Sequence, residues 1–152
     1  MEQVIVHCDG SCLGNGGANA RAGWGLVVTQ GPDMSYCNGG KVPGEQTSIR
    51  AEIHAFLQAL LYIKESAFKD VIIATDSYEV VMAVTGKIKR SSNRDMWALV
   101  EEESKQLLCR NILIKHCNKK ELAKDDIYYI ANVQADALAF EGANKLFNLL
   151  ED

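Results

Sequence analysis

Proline is almost missing from this chain. Pro32 and Pro43 are the only two, and both stand in glycine-containing stretches that read as turns. No linker, internal repeat or low-complexity tract divides the sequence, so residues 1–152 are expected to form one domain. Long apolar runs are missing too: none approaches the roughly 20 residues that span a bilayer. The opening MEQVIVHCDG has neither the basic segment nor the long apolar segment of a secretory signal. The expectation is no membrane association and an intracellular residence, cytoplasmic or nuclear. Positive charge is in deficit, with 16 Lys and Arg against 20 Asp and Glu and a net charge of −4. That argues against a large non-specific grip on nucleic acid, but not against a nucleic-acid enzyme, because local charge decides contact. The five cysteines are odd in number and include no CxxC pair, so neither a disulfide framework nor a zinc site is indicated. Cys8 and Cys12 are four apart but have no second pair nearby, and they read as buried or half-buried thiols.

What is present is an ordered series of apolar patterns. Residues 3–9 read as a buried strand, 23–29 (GWGLVVT) as a second, and residues near 34–40 as a third after a turn at 30–33, giving an antiparallel meander. Residues 50–65 (RAEIHAFLQALLYIKE) carry the broad apolar face of a helix. Residues 71–75 (VIIAT) are fully apolar, as in a parallel sheet. Short and long helices follow over 77–84 and 94–109, a fifth strand over 112–117, and a last helix over 132–149. The order β-β-β-α-β-α-α-β-α predicts an α/β fold: a mixed five-stranded sheet, three antiparallel strands plus two later strands reached by crossover helices.

Four acids recur at the ends of these elements. Asp9 closes the first predicted strand and Asp76 the fourth. Glu52 falls in the first turn of the first long helix, and Asp136 in the first turns of the last, within NVQADALA. Taken singly, an acid in a helix's first turn is favoured by the macrodipole, and an aspartate after a strand is a common turn residue. Taken together, adjacent first and fourth strands would set Asp9 beside Asp76, and the helices could bring Glu52 and Asp136 to them. Carboxylates converging without basic partners repel one another, and divalent cations neutralise such a cluster. Hard oxygen donors suit Mg²⁺ or Mn²⁺, and two such ions serve phosphodiester cleavage.

The words around these acids resemble type 1 ribonuclease H. CDGSCLGNGG (8–17) with GWGLVV (23–28) is similar to that family's opening strand and turn. QTSIRAEIHA (46–55) is similar to its glutamate-bearing helix, and ATDS (74–77) to its third acid motif. NRDMWALV (93–100) and NVQADALA (132–139) resemble the remaining motifs, in order and over nearly the whole chain. The resemblance implies a ribonuclease H-like fold in which Asp9, Glu52, Asp76 and Asp136 are catalytic and hold two Mg²⁺ ions, with Mn²⁺ able to substitute. It implies cleavage of the RNA strand of an RNA/DNA hybrid, leaving 3′-hydroxyl and 5′-phosphate ends. Asn15 would contact the RNA strand near its 2′-hydroxyls, the groups that distinguish RNA from DNA. Gly10 would let the backbone approach the nucleic acid, and Ser11, Cys12, Gln46 and Ser48 would line the same contact. Thr47 and Asn93 would bind a DNA-strand phosphate, with Asn93 also placed to cap the helix beginning at residue 94. Trp97 reads as core, and a monomer is expected. No replication or reverse-transcription partner is legible.

The chain also departs from the family. No histidine lies between residues 117 and 136, where the family carries a Gly-His loop that is thought to assist turnover; His116 reads as a strand residue. Lys119, Lys120 or Lys124 could supply a positive charge there. The family's basic protrusion is reduced to TGKIKRSSNRD (85–95), although Lys87, Lys89 and Arg90 keep a local basic patch. Glu45 stands where the phosphate pocket's arginine would be, and Ser48 and Ile49 replace polar family residues. These changes predict weaker, more salt-sensitive binding. They also define the alternative: a catalytically weakened module that binds hybrid nucleic acid or a protein partner. The Asn15 and Thr47 matches argue against a different nuclease on the same fold.

Overall fold

The computed structural model describes residues 3–144. Its elements are β1 (Val4–Leu13), β2 (Arg21–Gln30), β3 (Asp33–Lys41), α1 (Ser48–Glu65), β4 (Asp70–Thr75), α2 (Tyr78–Val84), α3 (Arg94–Lys105), β5 (Asn111–His116), a 3-10 turn over Lys119–Glu121, and α4 (Ile127–Asn144). The sheet order is β3-β2-β1-β4-β5. β1 pairs antiparallel with β2 and parallel with β4, and β4 pairs parallel with β5. This is the mixed five-stranded sheet that the element order predicts.

Alternation along β1 divides the core between two faces. Val4, Val6 and Cys8 join the main cluster with Ile53, Phe56, Leu60 and Ile63 of α1 and Met96, Trp97 and Val100 of α3. Ile5 points the other way, into a smaller cluster of Ala74 and Cys117 with Ile127 and Tyr128 of α4. His7 shares that side: its ring meets Tyr128 edge-on at 5.7 Å and its Nε2 lies 2.9 Å from Thr29 Oγ1. Trp97 is buried, as its core reading requires. Among the described residues, no helix is long and apolar enough to cross a membrane.

α4 lies against the antiparallel half of the sheet with small residues inward, including Ala131, Ala135, Ala139 and Ala143. Gly25 on β2 permits this approach, since a Cβ there would strike backbone atoms of Ala135 and Ala139.

Several predicted boundaries shift. β1 does not end at Asp9 but runs to Leu13, because β2 is equally long and its register continues Asp9↔Gly25 through Leu13↔Arg21. α1 starts at Ser48, not residue 50, with Thr47 as its N-cap, whose hydroxyl accepts from Arg50 N at 3.2 Å. Glu52 is therefore in the second turn, not the first. α3 stops at Lys105, short of 109: Leu107 is buried beyond the helix and Leu108 is exposed. α4 begins at Ile127, five residues before the expected start at 132, where the Asp126 carboxylate accepts from Tyr128 N at 2.8 Å. Asp136 thus sits in the middle of α4. Residues 145–149 of the predicted helix, with Leu146 and Phe147, lie outside the described residues.

Candidate active site

The parallel pairing of β1 with β4 runs from Val4↔Val71 to Cys8↔Thr75 and stops there. Asp9 and Asp76 are the next residues on each strand. Both emerge where the two strands part, while β1 stays paired to β2 on its other edge. α1 crosses the same point, because Gly10 has no side chain: a Cβ on Gly10 would strike backbone atoms of Ala51 and Glu52. The Gly10 amide donates to Oε1 of Glu52 at 2.5 Å. Gly10 thus serves the packing of α1 and the placing of Glu52, a role the sequence reading did not give it.

The result is a carboxylate cluster. Asp9, Glu52 and Asp76 each offer an oxygen, and these oxygens all lie within 4.8 Å of one another. Asp9 is 3% exposed and its buried Oδ2 has no hydrogen-bond partner. Among the described residues, none of the three is in a salt bridge. Burial, and then the charges of Glu52, Asp76 and Asp136, push the Asp9 carboxyl up to about 11. Burial and then Asp76 push Glu52 up to about 8, against the lowering effect of the Gly10 amide. Beneath them Cys8 is buried, and burial first, then Glu52, holds its thiol well above the usual range. Asp136 is not among the three converging acids. It projects from mid-α4, exposed, yet near enough to act on Asp9. An oxygen set this dense, without a cation of the protein's own, fits a hard divalent metal ion.

A cleft of about 460 Å³ opens from Glu52, lined also by Asn15, Thr47, Ser48, Ser77 and Glu79. Three residues predicted to contact nucleic acid therefore share a wall with one acid. Their polar atoms also hold the fold. Asn15 Oδ1 accepts from Ser48 N at 3.0 Å, which docks the glycine turn of 14–17 onto the start of α1. The Gln46 carboxamide is committed to backbone, accepting from Ala22 N and donating to the carbonyls of Val42 and Gly44. Cys12 is half-buried with its thiol 3.6 Å from Gln46 O, and Ser11 is half-buried beside it.

Asn93 departs from its expected capping role. It occupies the N-cap of α3, but in a left-handed conformation (φ 54°) with no side-chain cap bond. Its Oδ1 instead accepts from Arg50 at 3.3 Å. Arg50 is the residue that the sequence reading overlooked. It is 6% exposed, donates to Pro43 O at 2.8 Å, and grips both carboxylate oxygens of Asp95. The RAE word that located Glu52 contained it. His116 was read from the sequence as a strand residue. It is the last residue of β5, as its strand reading requires, and its Nε2 lies 3.2 Å from the Asp76 carbonyl. In the basic patch, Arg90 pairs with Glu101 at 2.8 Å and lies over the Trp97 ring, so it serves the fold.

Comparison with known proteins agrees with this geometry. The family model described as RNase H matches residues 1–144. Ribonuclease H1 of Mus musculus is 39% identical over 88 residues, 58% of this chain and 30% of the mouse protein. Ribonuclease H1 of Homo sapiens is 29% identical over 150 residues, 93% of this chain and 50% of the human protein. The chain thus spans half or less of the length of these relatives. Among solved structures, LC11-RNase H1 in complex with an RNA/DNA hybrid superposes with a TM-score of 0.71 at 22% identity, covering 93% of this chain and 97% of that one. At that identity it bears on the fold alone.

Proposed function

This chain belongs to the RNase H family, and on that footing we propose that it is an endoribonuclease that hydrolyses the RNA strand of RNA/DNA hybrids. The observation that carries the reading is the cluster of Asp9, Glu52 and Asp76, three acids within 4.8 Å and without a cationic partner. Asp9 is buried and Glu52 and Asp76 are half-buried, so crowding them while ionised costs stability, a cost that a divalent cation offsets. The substrate class is proposed from the family match; the neighbour solved with an RNA/DNA hybrid bears on the fold alone.

Asp9, Glu52 and Asp76 would hold divalent metal, two Mg²⁺ in our reading with Mn²⁺ as substitute, and Asp136 would complete the set from α4. When bound, the metal supplies charge neutralisation at the scissile phosphate and activation of water. The protein's own part is positional. Gly10 presents its amide to Glu52 and so fixes one oxygen of the cluster. The end of the β1–β4 pairing fixes the spacing of Asp9 and Asp76. Asn15 holds the glycine turn against Ser48, which keeps a polar wall next to Glu52. That wall is where a 2′-hydroxyl would be read, and Thr47 and Asn93, the N-cap residues of α1 and α3, would meet a DNA-strand phosphate.

Products test the reading. Hybrids labelled on one strand at a time should lose only the RNA strand and yield 3′-hydroxyl and 5′-phosphate ends. Cutting of the DNA strand, or 3′-phosphate products, would reject it. Tight hybrid binding without any cutting would leave the chain as a binding module.

A further inference from the structure

α4 is apolar on two opposite sides. Ala131, Ala135, Ala139 and Ala143 are fully buried on the side that meets the sheet. The other side carries Ile130, Val133, Ala137 and Phe140, spaced three, four and three residues apart, which sets them in one line along the helix. All four are exposed, Ile130 by 39%, Val133 by 44% and Phe140 by 51%. A helix packed on a sheet ordinarily turns polar residues to solvent. None of these four joins a core cluster of the described residues, so the line serves no packing within the chain. Exposed apolar side chains that are contiguous rather than scattered mark an interaction surface.

The residues beside the line describe its occupant. Asp136 borders it on one side, and Gln134 and Glu141 on the other. Both acids are exposed, and among the described residues neither is in a salt bridge. From Ile127 to Asn144 the helix has no lysine or arginine. This charge repels an anionic membrane or a nucleic-acid backbone. A second copy of this chain is poorly matched for the same reason, since it would bring its own Asp136 and Glu141 to a contact where the helices supply no cation. Its area is short as well. One line of four side chains falls well below the roughly 800 Å² per partner of a standard protein interface. A single helix, by contrast, docks through a few apolar anchors at this spacing.

We propose that the outer face of α4 is a docking surface for a basic amphipathic helix of a partner protein. Apolar residues of that helix would pack on Ile130, Val133, Ala137 and Phe140. Lysines or arginines beside them would meet Asp136 and Glu141. Asp136 also belongs to the proposed metal-binding acids, so Glu141 is the acid that tests the charge.

The test uses fluorescein-labelled synthetic peptides as long as α4, read by anisotropy with saturating Mg²⁺. One is a leucine–lysine peptide with leucines at helical spacing, the second has the same composition scrambled, and the third replaces lysine by glutamate in the first pattern. Wild type should bind the patterned leucine–lysine peptide about 10-fold more tightly than either control. Phe140→Ala and Val133→Ala should each weaken that binding about 10-fold, and Glu141→Gln should weaken it by less. Melting temperatures of the three variants should match wild type, because the side chains are exposed. No binding by wild type, equal binding of the control peptides, undiminished binding by Phe140→Ala, or a melting temperature lowered in Phe140→Ala would overturn the proposal. Sedimentation equilibrium should show a monomer. A wild-type dimer that Phe140→Ala dissolves would give this face to a second copy and overturn the proposal too.

Discussion

The amide of Gly10 donates to the carboxylate of Glu52, so the residue after the first acid of β1 holds the acid of α1. Strand and helix approach so closely that Gly10 has α1 backbone where a Cβ would be. Backbone cannot yield as a flexible side chain can. Gly10→Ala should therefore destabilise the protein by about 1–3 kcal/mol, as overpacking does. It should also displace Glu52 and lower activity more than the stability loss explains. Denaturant melts and cleavage rates on the same preparations check this.

The acid cluster makes a prediction about pH. Asp9 and Glu52 are raised in the folded protein, to about 11 and about 8, so folding takes up protons above the ordinary carboxylate range. The unfolded chain binds fewer protons there, and metal-free stability must fall as pH rises. His7 and His54 are held down to about 4 by burial, and oppose this trend only below their ordinary value of 6.5. The window from about pH 7 to 8.5 is therefore diagnostic. In EDTA the melting temperature should drop across it. Asp9→Asn should raise the metal-free melting temperature and flatten the slope. Mg²⁺ or Mn²⁺ should stabilise wild type more at the upper end, because metal displaces protons. A flat profile unaffected by Asp9→Asn would contradict the cluster.

Arg50 ties three segments together: the Pro43 turn, α1 and the start of α3. Arg50→Ala removes a buried guanidinium and leaves the Pro43 carbonyl without this donor, which should cost about 2–4 kcal/mol. Asp95→Asn should cost less, because Asp95 is exposed and its charge is screened. The Arg50 guanidinium holds the Asp95 carboxyl down to about 2, so the pair's contribution persists above pH 4 and is lost as pH falls towards 2. Thermal melts of the two variants over that range give the ordering.

Asp136 stands apart from the three converging acids, exposed on α4. Asp136→Asn should therefore retain more cleavage than Asp9→Asn, Glu52→Gln or Asp76→Asn. Rates at saturating Mg²⁺ for the four variants decide it, and equal losses would show that Asp136 belongs to the inner set.

The sheet was legible in the sequence because its apolar runs are short and rich in β-branched residues, as in VIVHC, GLVVT and VIIAT. Asp9 and Asp76 were legible because each lies in or directly after such a run, and Glu52 because it opens the broad apolar pattern of α1. Less legible were the boundaries set by partners distant in sequence. Residues 10–13 (GSCL) have little strand character of their own and are extended because β2 pairs with them. Ile127, Tyr128, Tyr129 and Ile130 are weak helix formers, made helical by packing Ile127 and Tyr128 near Ile5 and Cys117. Asn93 gave a capping signal, yet Arg50 takes its carboxamide. The Tyr78–His116 contact joins α2 to β5, and no local pattern marks it.

The most direct test of the central claim compares wild type and Asp9→Asn on matched RNA/DNA, RNA/RNA and DNA/DNA duplexes, with Mg²⁺, with Mn²⁺ and with EDTA. The account predicts that wild type cuts only the RNA strand of the hybrid, only with metal, and that Asp9→Asn does not cut. Cutting by wild type in EDTA, equal cutting by Asp9→Asn, or no cutting by wild type in either metal would contradict it.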